Sequence, residues 1–392
     1  MTINDRRFDF IRQELHQRRE NHLLRRLRSV TPLSDTHVDV EGRPMLNFCS
    51  NDYLGLSKHP LLRERAAAFM ETYGMGATAS RLICGSFDCM ARVENKLAGL
   101  KGAEAALILN SGFQANVSVL PALADKQSLI LSDALNHNSL INGTRLCRCR
   151  IERFRHNDPE HLRDLLVENR DAGHSRILII TESIFSMDGD CSDIPALTAL
   201  ADEFGALLLV DEAHATGVCG PQGMGLTCGH GAALTIGTFG KACGSFGAYV
   251  AASKNMCDYL VNCCPGFIYS TALPPAVIGA IDAALDLIPG MEAERQRLHD
   301  NARLLRRELN ALGFQTGNSS TQIIPVLTGG EQATLALSAW LEENGVLAVA
   351  IRPPTVPRGE SRIRISLSAA HTREDVRQLV GLFGEWRKRH GA

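Results

Sequence analysis

Ala233-Leu-Thr-Ile-Gly-Thr-Phe-Gly-Lys-Ala-Cys-Gly-Ser-Phe-Gly247 sets one lysine, Lys241, just beyond an apolar, strand-like run and among glycines at 237, 240, 244 and 247. An amine at the end of a buried strand is costly unless it has a task, because burial opposes its charge. One such task is a Schiff base with a carbonyl, where an apolar setting lowers the amine pKa. The glycines are then expected to let the backbone approach a flat ligand and its phosphate. A nucleotide-binding phosphate loop is a poorer reading, since Thr235 stands where its first glycine belongs and Ala242 where its Ser/Thr belongs. Thr238 and Lys241 imitate a Ser-x-x-Lys hydrolase pair, but no companion motif follows. A plain surface-turn lysine stays open on these residues alone.

The surrounding chain narrows the choice. From about residue 105 to 250 short apolar runs alternate with helical patterns, the mark of a mostly parallel sheet. The expected strands are 105–109, 128–131, 177–181, 206–210 and 233–238. Between two of them Asp193 is a plausible N-cap, Pro195 falls in a first turn and Gly205 supplies a stop. In such a sheet ligands bind beyond the carboxyl ends of the strands. The strand ends here carry Asn110-Ser-Gly-Phe113, Asp133-Ala-Leu-Asn-His137, Glu182-Ser-Ile-Phe-Ser-Met-Asp-Gly189, Asp211-Glu-Ala-His214 and Lys241. Each is weak alone, and Asp211-Glu-Ala-His214 could pass for a helicase box if the chain had a phosphate loop. Together they offer an anion site at a helix start, an imidazole, hydroxyls, a carboxylate and a lysine. That set suits pyridoxal phosphate (PLP): lysine on the aldehyde, carboxylate on the ring nitrogen, helix start on the phosphate.

Composition sets the outer limits. The 392 residues, 45% hydrophobic and 21% charged, suggest roughly two to three soluble domains. A formal charge of -2 gives no reason to expect nucleic acid. No apolar run is long enough to span a membrane. Acidic residues interrupt the arginine-rich start, which argues against a transit peptide. The 12 cysteines have no C-x-x-C pair, so no metal site is expected, most should be reduced, buried hydrophobes, and the cytoplasm is the expected compartment. Phe8, Ile11 and Leu15 predict an amphipathic helix, and the basic stretch after it reads first as a solvated face. A hairpin is expected over 38–47. After about 290, helices over 291–312, 331–344 and 373–389 alternate with strands at 321–327, 346–351 and 361–367. The expected division is an N-terminal segment 1–50, a large domain 51–288 and a smaller α+β domain 289–392.

With these residues in view, the chain resembles the α-oxoamine synthases, PLP enzymes of the fold type I, aspartate aminotransferase-like class. The likeness runs from Ser50-Asn-Asp-Tyr-Leu-Gly-Leu56 through Asp211-Glu-Ala-His-Ala-Thr-Gly217 and Thr238-Phe-Gly-Lys241 to the C-terminus. Within the family, Ile268-Tyr-Ser-Thr-Ala-Leu-Pro-Pro275 and Ala350-Ile-Arg-Pro-Pro-Thr-Val-Pro357 are most similar to members that condense L-alanine with a pimeloyl thioester, of CoA or of a carrier protein, on the way to biotin.

The resemblance implies a role for each site residue. Lys241 would carry the cofactor, Asp211 would pair with its ring nitrogen, His214 and Ser186 with its phenolic oxygen, and His137 would stack on its face. Gly112, Phe113 and Thr238 would hold the phosphate, joined by Ser270 or Thr271 from the partner of a homodimer. Asn51 and Thr271 are expected to serve the neighbouring subunit's site. Arg25 and Thr355 would bind substrate, which revises the solvated reading of the basic stretch, and Arg364 would grip the amino-acid carboxylate. One departure is Met90, where relatives often place a histidine.

Overall fold

The computed structural model describes residues 6–391. Its strands, in chain order, are β1 (Val30–Pro32), β2 (His37–Val40), β3 (Arg43–Asn47), β4 (Ala105–Leu109), β5 (Leu129–Asp133), β6 (Arg150–Phe154) and β7 (Ile177–Glu182). They continue with β8 (Leu207–Asp211), β9 (Leu234–Thr238), β10 (Ala248–Ala252), β11 (Ile323–Gly329), β12 (Val346–Leu347), β13 (Val349–Ile351) and β14 (Ser361–Ser366). Seven of them form the central sheet in the order β4-β10-β9-β8-β7-β5-β6.

The sheet is mostly parallel because its strands are apolar on both faces. Alternate residues point to opposite layers: Leu178, Ile180 and Leu209 into one, Ile179, Leu208 and Val210 into the other. The helix Gly112–Leu123 covers the first layer, and the helices Pro159–Glu168 and Ile194–Phe204 cover the second. Asp193 caps the last of these, accepting from the Ala196 N–H at 3.1 Å, and Gly205 ends it in the left-handed region.

Two strands of this sheet were not expected. β6, Arg-Ile-Glu-Arg-Phe, is a charged edge strand, so it lacks the apolar run that marked the others. β10 runs antiparallel to both β9 and β4. The segment 239–247 that leads into it is shorter than the roughly dozen residues a parallel crossover needs, so the chain can only turn back.

The glycines at 237 and 244 also differ from their expected use. A Cβ on Gly237 would lie 2.3 Å from the Tyr249 ring, and one on Gly244, whose φ is +63°, would lie 2.5 Å from the Leu56 and Ser57 backbone. Both admit neighbouring protein rather than a ligand.

The remaining strands make two small sheets, β1-β2-β3-β12 and β11-β14-β13. The stretch expected as one strand over 346–351 is thus divided: Val346–Leu347 pairs parallel with β3, and Val349–Ile351 pairs antiparallel with β14. The helices Glu292–Ala311, Glu331–Glu343 and Arg373–His390 lie close to expectation, as does the hairpin of β2 and β3. All twelve cysteines are free, but only Cys89, Cys147, Cys243, Cys257 and Cys264 are fully buried. Among the described residues no helix is long and apolar enough to cross a membrane, and no His/Cys/Asp/Glu group could hold a metal ion.

One buried ion pair steadies the end of β8. Lys101 donates to Glu212, to the Met224 carbonyl and, at 3.5 Å, to Thr227 Oγ1. Glu212 is fully buried and also accepts from the Thr227 N–H at 2.7 Å. Removing one partner of such a pair strands the other charge without water. Lys101→Met is therefore expected to cost about 3–5 kcal/mol of stability, read by urea unfolding. A loss below about 1 kcal/mol, the range of exposed pairs, would contradict this account.

Candidate active site

Just beyond the carboxyl ends of β5, β7, β8 and β9 lies a cavity of about 210 Å³. It is lined by Gly112, Phe113, Asn116, His137, Ser139, Glu182, Asp211, Ala213, His214, Thr238 and Lys241. Seven residues expected from the sequence thus meet in one place: Gly112, Phe113, His137, Asp211, His214, Thr238 and Lys241.

Local structure sets each of them. Ser111 caps the helix Gly112–Leu123 by accepting from the Gln114 N–H at 3.2 Å, which leaves the Gly112 and Phe113 N–H groups at an open helix start. His137 caps the helix Asn138–Leu146; its Nδ1 accepts from the Ser139 N–H at 3.3 Å and lies 2.7 Å from Ser139 Oγ, which fixes the ring. Thr238, the last residue of β9, donates to the Gly247 carbonyl at 2.8 Å and accepts from the Gly240 N–H at 3.1 Å. Asp211, at the end of β8, accepts from the Asn116 amide at 2.6 Å and from the Ala213 N–H at 2.8 Å.

Lys241 heads a path of hydrogen bonds. Its Nζ lies 2.7 Å from His214 Nε2, and His214 Nδ1 lies 2.6 Å from the Tyr53 hydroxyl. Tyr53 donates to Asn51 Oδ1 at 3.0 Å, and the same oxygen accepts from Arg364 Nη1 and Nη2 at 3.3 Å. Burial, together with the charges of Lys241 and Arg364, pushes His214 well below its usual pKa. The ring is then neutral, with its proton on Nδ1 toward Tyr53 and its Nε2 lone pair toward the lysine. Burial also lowers Lys241 to about 8, although Asp211 and Glu182 pull the other way. Glu182 is pushed well above the carboxylate range by burial and by the charge of Asp211.

The other expected residues fall around this centre. Within its own chain Asn51 joins this network, because the turn Asn51–Tyr53 sits against Arg364. Ser186 is not among the residues that line the cavity; its carbonyl accepts from Arg364 Nε at 2.6 Å. Ser270 and Thr271 flank the open helix start on its outer side: Gln114 donates to Ser270 Oγ, and Asn110 to the Thr271 carbonyl at 2.9 Å. Arg25 and Thr355 form a separate cluster, with Arg25 Nη2 donating to Thr355 Oγ1 at 3.2 Å. Met90 is packed in the core and nothing in the structure ties it to the cavity.

An amine of lowered pKa, a carboxylate, a neutral imidazole, a hydroxyl and a helix start facing one small cavity fit a phosphorylated, aldehyde-bearing heterocycle. Asn116 Oδ1, buried and without a partner, marks the same place as built for a guest.

Residues 43–383 match the family model of class I and II aminotransferases. A protein of Gluconacetobacter diazotrophicus named 8-amino-7-oxononanoate synthase is 49% identical over 394 residues, covering 98% of this chain and 99% of its own. A Desulfosudis oleivorans relative, given the same name provisionally, is 62% identical over 382 residues, 97% of this chain and 99% of its own. The chain belongs to the 8-amino-7-oxononanoate synthases of the class I and II aminotransferase family. Its fold is that of the type I PLP-dependent enzymes. A serine palmitoyltransferase from Sphingomonas wittichii superposes with a TM-score of 0.91 at 28% identity, over 98% of both chains. One from S. paucimobilis, holding PLP and myriocin, superposes with a TM-score of 0.90 at 26% identity over 98% of each.

Members of this site that the sequence reading missed are Tyr53, Asn116, Ser139 and Glu182; in the separate cluster of Arg25 and Thr355 it missed Arg352. Tyr53 lies inside the quoted motif and Glu182 ends a strand, so a signal existed for both. Asn116 sits one turn into its helix and Ser139 is the second residue of its own, and nothing in the sequence marks either. Arg352 lies near Arg25, whose charge, added to burial, lowers its pKa, and its Nε is buried without a partner.

Proposed function

We propose that the protein condenses L-alanine with a pimeloyl thioester, releasing the thiol and CO2 and forming 8-amino-7-oxononanoate. The observation that supports this reading is Lys241 and Asp211 facing one cavity, with Arg364 joined to Lys241 through Asn51, Tyr53 and His214: an amine, an acid and a carboxylate grip.

Lys241 would hold PLP, with Asp211 at its ring nitrogen, His137 on its face, His214 and Ser186 toward its phenolic oxygen, and Gly112, Phe113 and Thr238 at its phosphate. Bound there, the cofactor supplies an electron sink for negative charge on the amino acid's α-carbon. The protein's own groups do the rest. Arg364 orients alanine through its carboxylate, with a fork that can donate twice. Lys241, displaced by the substrate amine, takes the α-proton, and its pKa near 8 suits a base that works close to neutrality. Neutral His214 accepts a hydrogen bond from that amine and aims it. The bared α-carbon then attacks the thioester carbonyl and the thiol leaves; the β-keto carboxylate so formed loses CO2, and the α-carbon takes back a proton.

The far end of the acyl chain has its own partner. Arg25 and Arg352 hold two like charges close together, an arrangement that favours an anion between them. The distal carboxylate of a pimeloyl chain carries that charge, with Thr355 beside it. A homodimer would add the partner subunit's Ser270 and Thr271 to the phosphate site.

The deciding assay supplies the PLP-loaded enzyme with L-alanine and pimeloyl-CoA or pimeloyl-carrier protein, and follows thiol release and product mass. The structural likeness to serine palmitoyltransferase makes serine with palmitoyl-CoA the competing pair. Preference for that pair, or for glycine with acetyl-CoA, would replace this reading. Arg364→Ala is expected to raise the KM for L-alanine by about 10- to 100-fold, the size of a lost charge-assisted pair, while the KM for the thioester holds. An unchanged alanine KM would return Arg364 to a structural role.

A further inference from the structure

The loop 185–191 that carries the Ser186 carbonyl is pinned from the opposite side by a histidine the proposed reaction does not use. His156, just after β6, lies with Nδ1 2.9 Å from Asp133 Oδ1 and Nε2 2.8 Å from Asp190 Oδ2. Both ring nitrogens face carboxylates, so both are donors and the ring is a cation. Burial opposes that charge, but Asp133 and Asp190 outweigh it and push His156 up to about 10. The ring also meets Phe185 edge-on, with centroids 4.4 Å apart. Asn157 adds a bond of 2.9 Å to Asp190 and one of 3.2 Å to the Cys191 carbonyl.

Across the loop the smaller sheet takes hold. Thr321 donates to the Gly189 carbonyl through its hydroxyl at 2.8 Å, and Arg362 pairs with Asp188. A Cβ on Gly189 would strike the Ile323 carbonyl at 2.0 Å, so loop and strand β11 are in direct contact. Arg364 then rests its Nε on Ser186. A partly buried cation at the end of the large sheet thus fixes one side of a short loop whose other side seats the arginine.

We propose that His156, clasped by Asp133 and Asp190, is a positioning residue that sets Arg364 for the amino-acid carboxylate through the loop 185–191. This inference rests on the reading of Arg364 given above. Held in place, the Ser186 carbonyl accepts from Nε, Ser366 Oγ accepts from Nη1 at 2.6 Å, and the remaining N–H groups of the fork face Asn51 and the substrate. Without the clasp, Asp190 is left without its cation in a dry site, the loop shifts, and the fork loses its aim.

The test compares His156→Asn and Asp190→Asn with the parent enzyme, both PLP-loaded. Alanine Kd is measured by calorimetry, and KM and kcat are measured for both substrates. In His156→Asn the alanine Kd and KM are expected to rise about tenfold, close to one charge-assisted hydrogen bond, with the thioester KM unchanged. Asp190→Asn, which keeps an acceptor oxygen but loses the charge, is expected to show a smaller rise in the same direction. Combining His156→Asn with Arg364→Lys should cost less than the sum of the two, since both act on one grip. If His156→Asn fails to fold, Asp190→Asn decides alone. A raised alanine KM in Arg364→Ala with none in either latch variant overturns the latch; an unchanged one in Arg364→Ala overturns the reading of Arg364 itself.

Discussion

Lys241→Ala removes condensation of L-alanine with the thioester by at least about 10⁴-fold, the upper end of what one general base contributes. The effect is this large because the same amine has two duties: it anchors the cofactor aldehyde covalently, and it takes the α-proton. The yellow absorbance of the enzyme-linked cofactor is lost with it, although helix start, carboxylate and imidazole remain. Lys241→Arg is no better, since a guanidinium does not deprotonate in this range. A small added amine such as methylamine recovers part of the rate, because the cavity and its other groups are intact. The parent enzyme offers a second measurement. Stripped of cofactor, its Lys241 titrates near about 8, so roughly a tenth of the amine is neutral at one unit below that value. The rate at which it captures added PLP therefore climbs with pH and levels off above about 8. A variant without Lys241 that turns over normally, or a capture rate still climbing at pH 10, would end the assignment.

Asp211→Asn leaves PLP bound and slows removal of the alanine α-proton by about 10- to 1000-fold. That range follows from the one to three pKa units by which a neighbouring carboxylate raises a cationic ring nitrogen. Asparagine keeps the contact with the Ala213 N–H and is close in shape, so folding is largely preserved. It also puts an amide against the amide of Asn116, which now donates to Asp211 Oδ2 at 2.6 Å. Exchange of the alanine α-proton with solvent deuterium, followed by NMR without thioester, reads this step alone. Exchange at the parent rate would show that Asp211 does not tune the ring.

Much of this site was legible because the chemistry lies at strand ends, and strand ends can be read from apolar runs. Asp211, His214 and Lys241 each follow such a run, and Gly112 and Phe113 open a helix after another. What failed depended on contacts made across the sequence. The purpose of Gly237 is visible only once Tyr249 has folded back over it, and β10 carries no more sequence signal than any short apolar stretch. Asn116 faces Asp211 because the helix Gly112–Leu123 packs on the sheet face beside the end of β8, which no spacing rule encodes. The place of Asn51 beside Arg364 rests on a contact across 313 positions. Division of the stretch 346–351 between two sheets likewise depends on partners drawn from opposite ends of the chain.

The path from Lys241 to Arg364 joins stretches of chain that are remote in sequence: Tyr53 and His214 are 161 positions apart, and Asn51 and Arg364 are 313 apart. Neither end can be completed by a local segment. Cutting the polypeptide in a surface loop and expressing the pieces separately would therefore yield no half with partial competence. Only pieces that reassemble around the Asn51–Tyr53 turn would restore the amine and the carboxylate grip, and they would restore both at once.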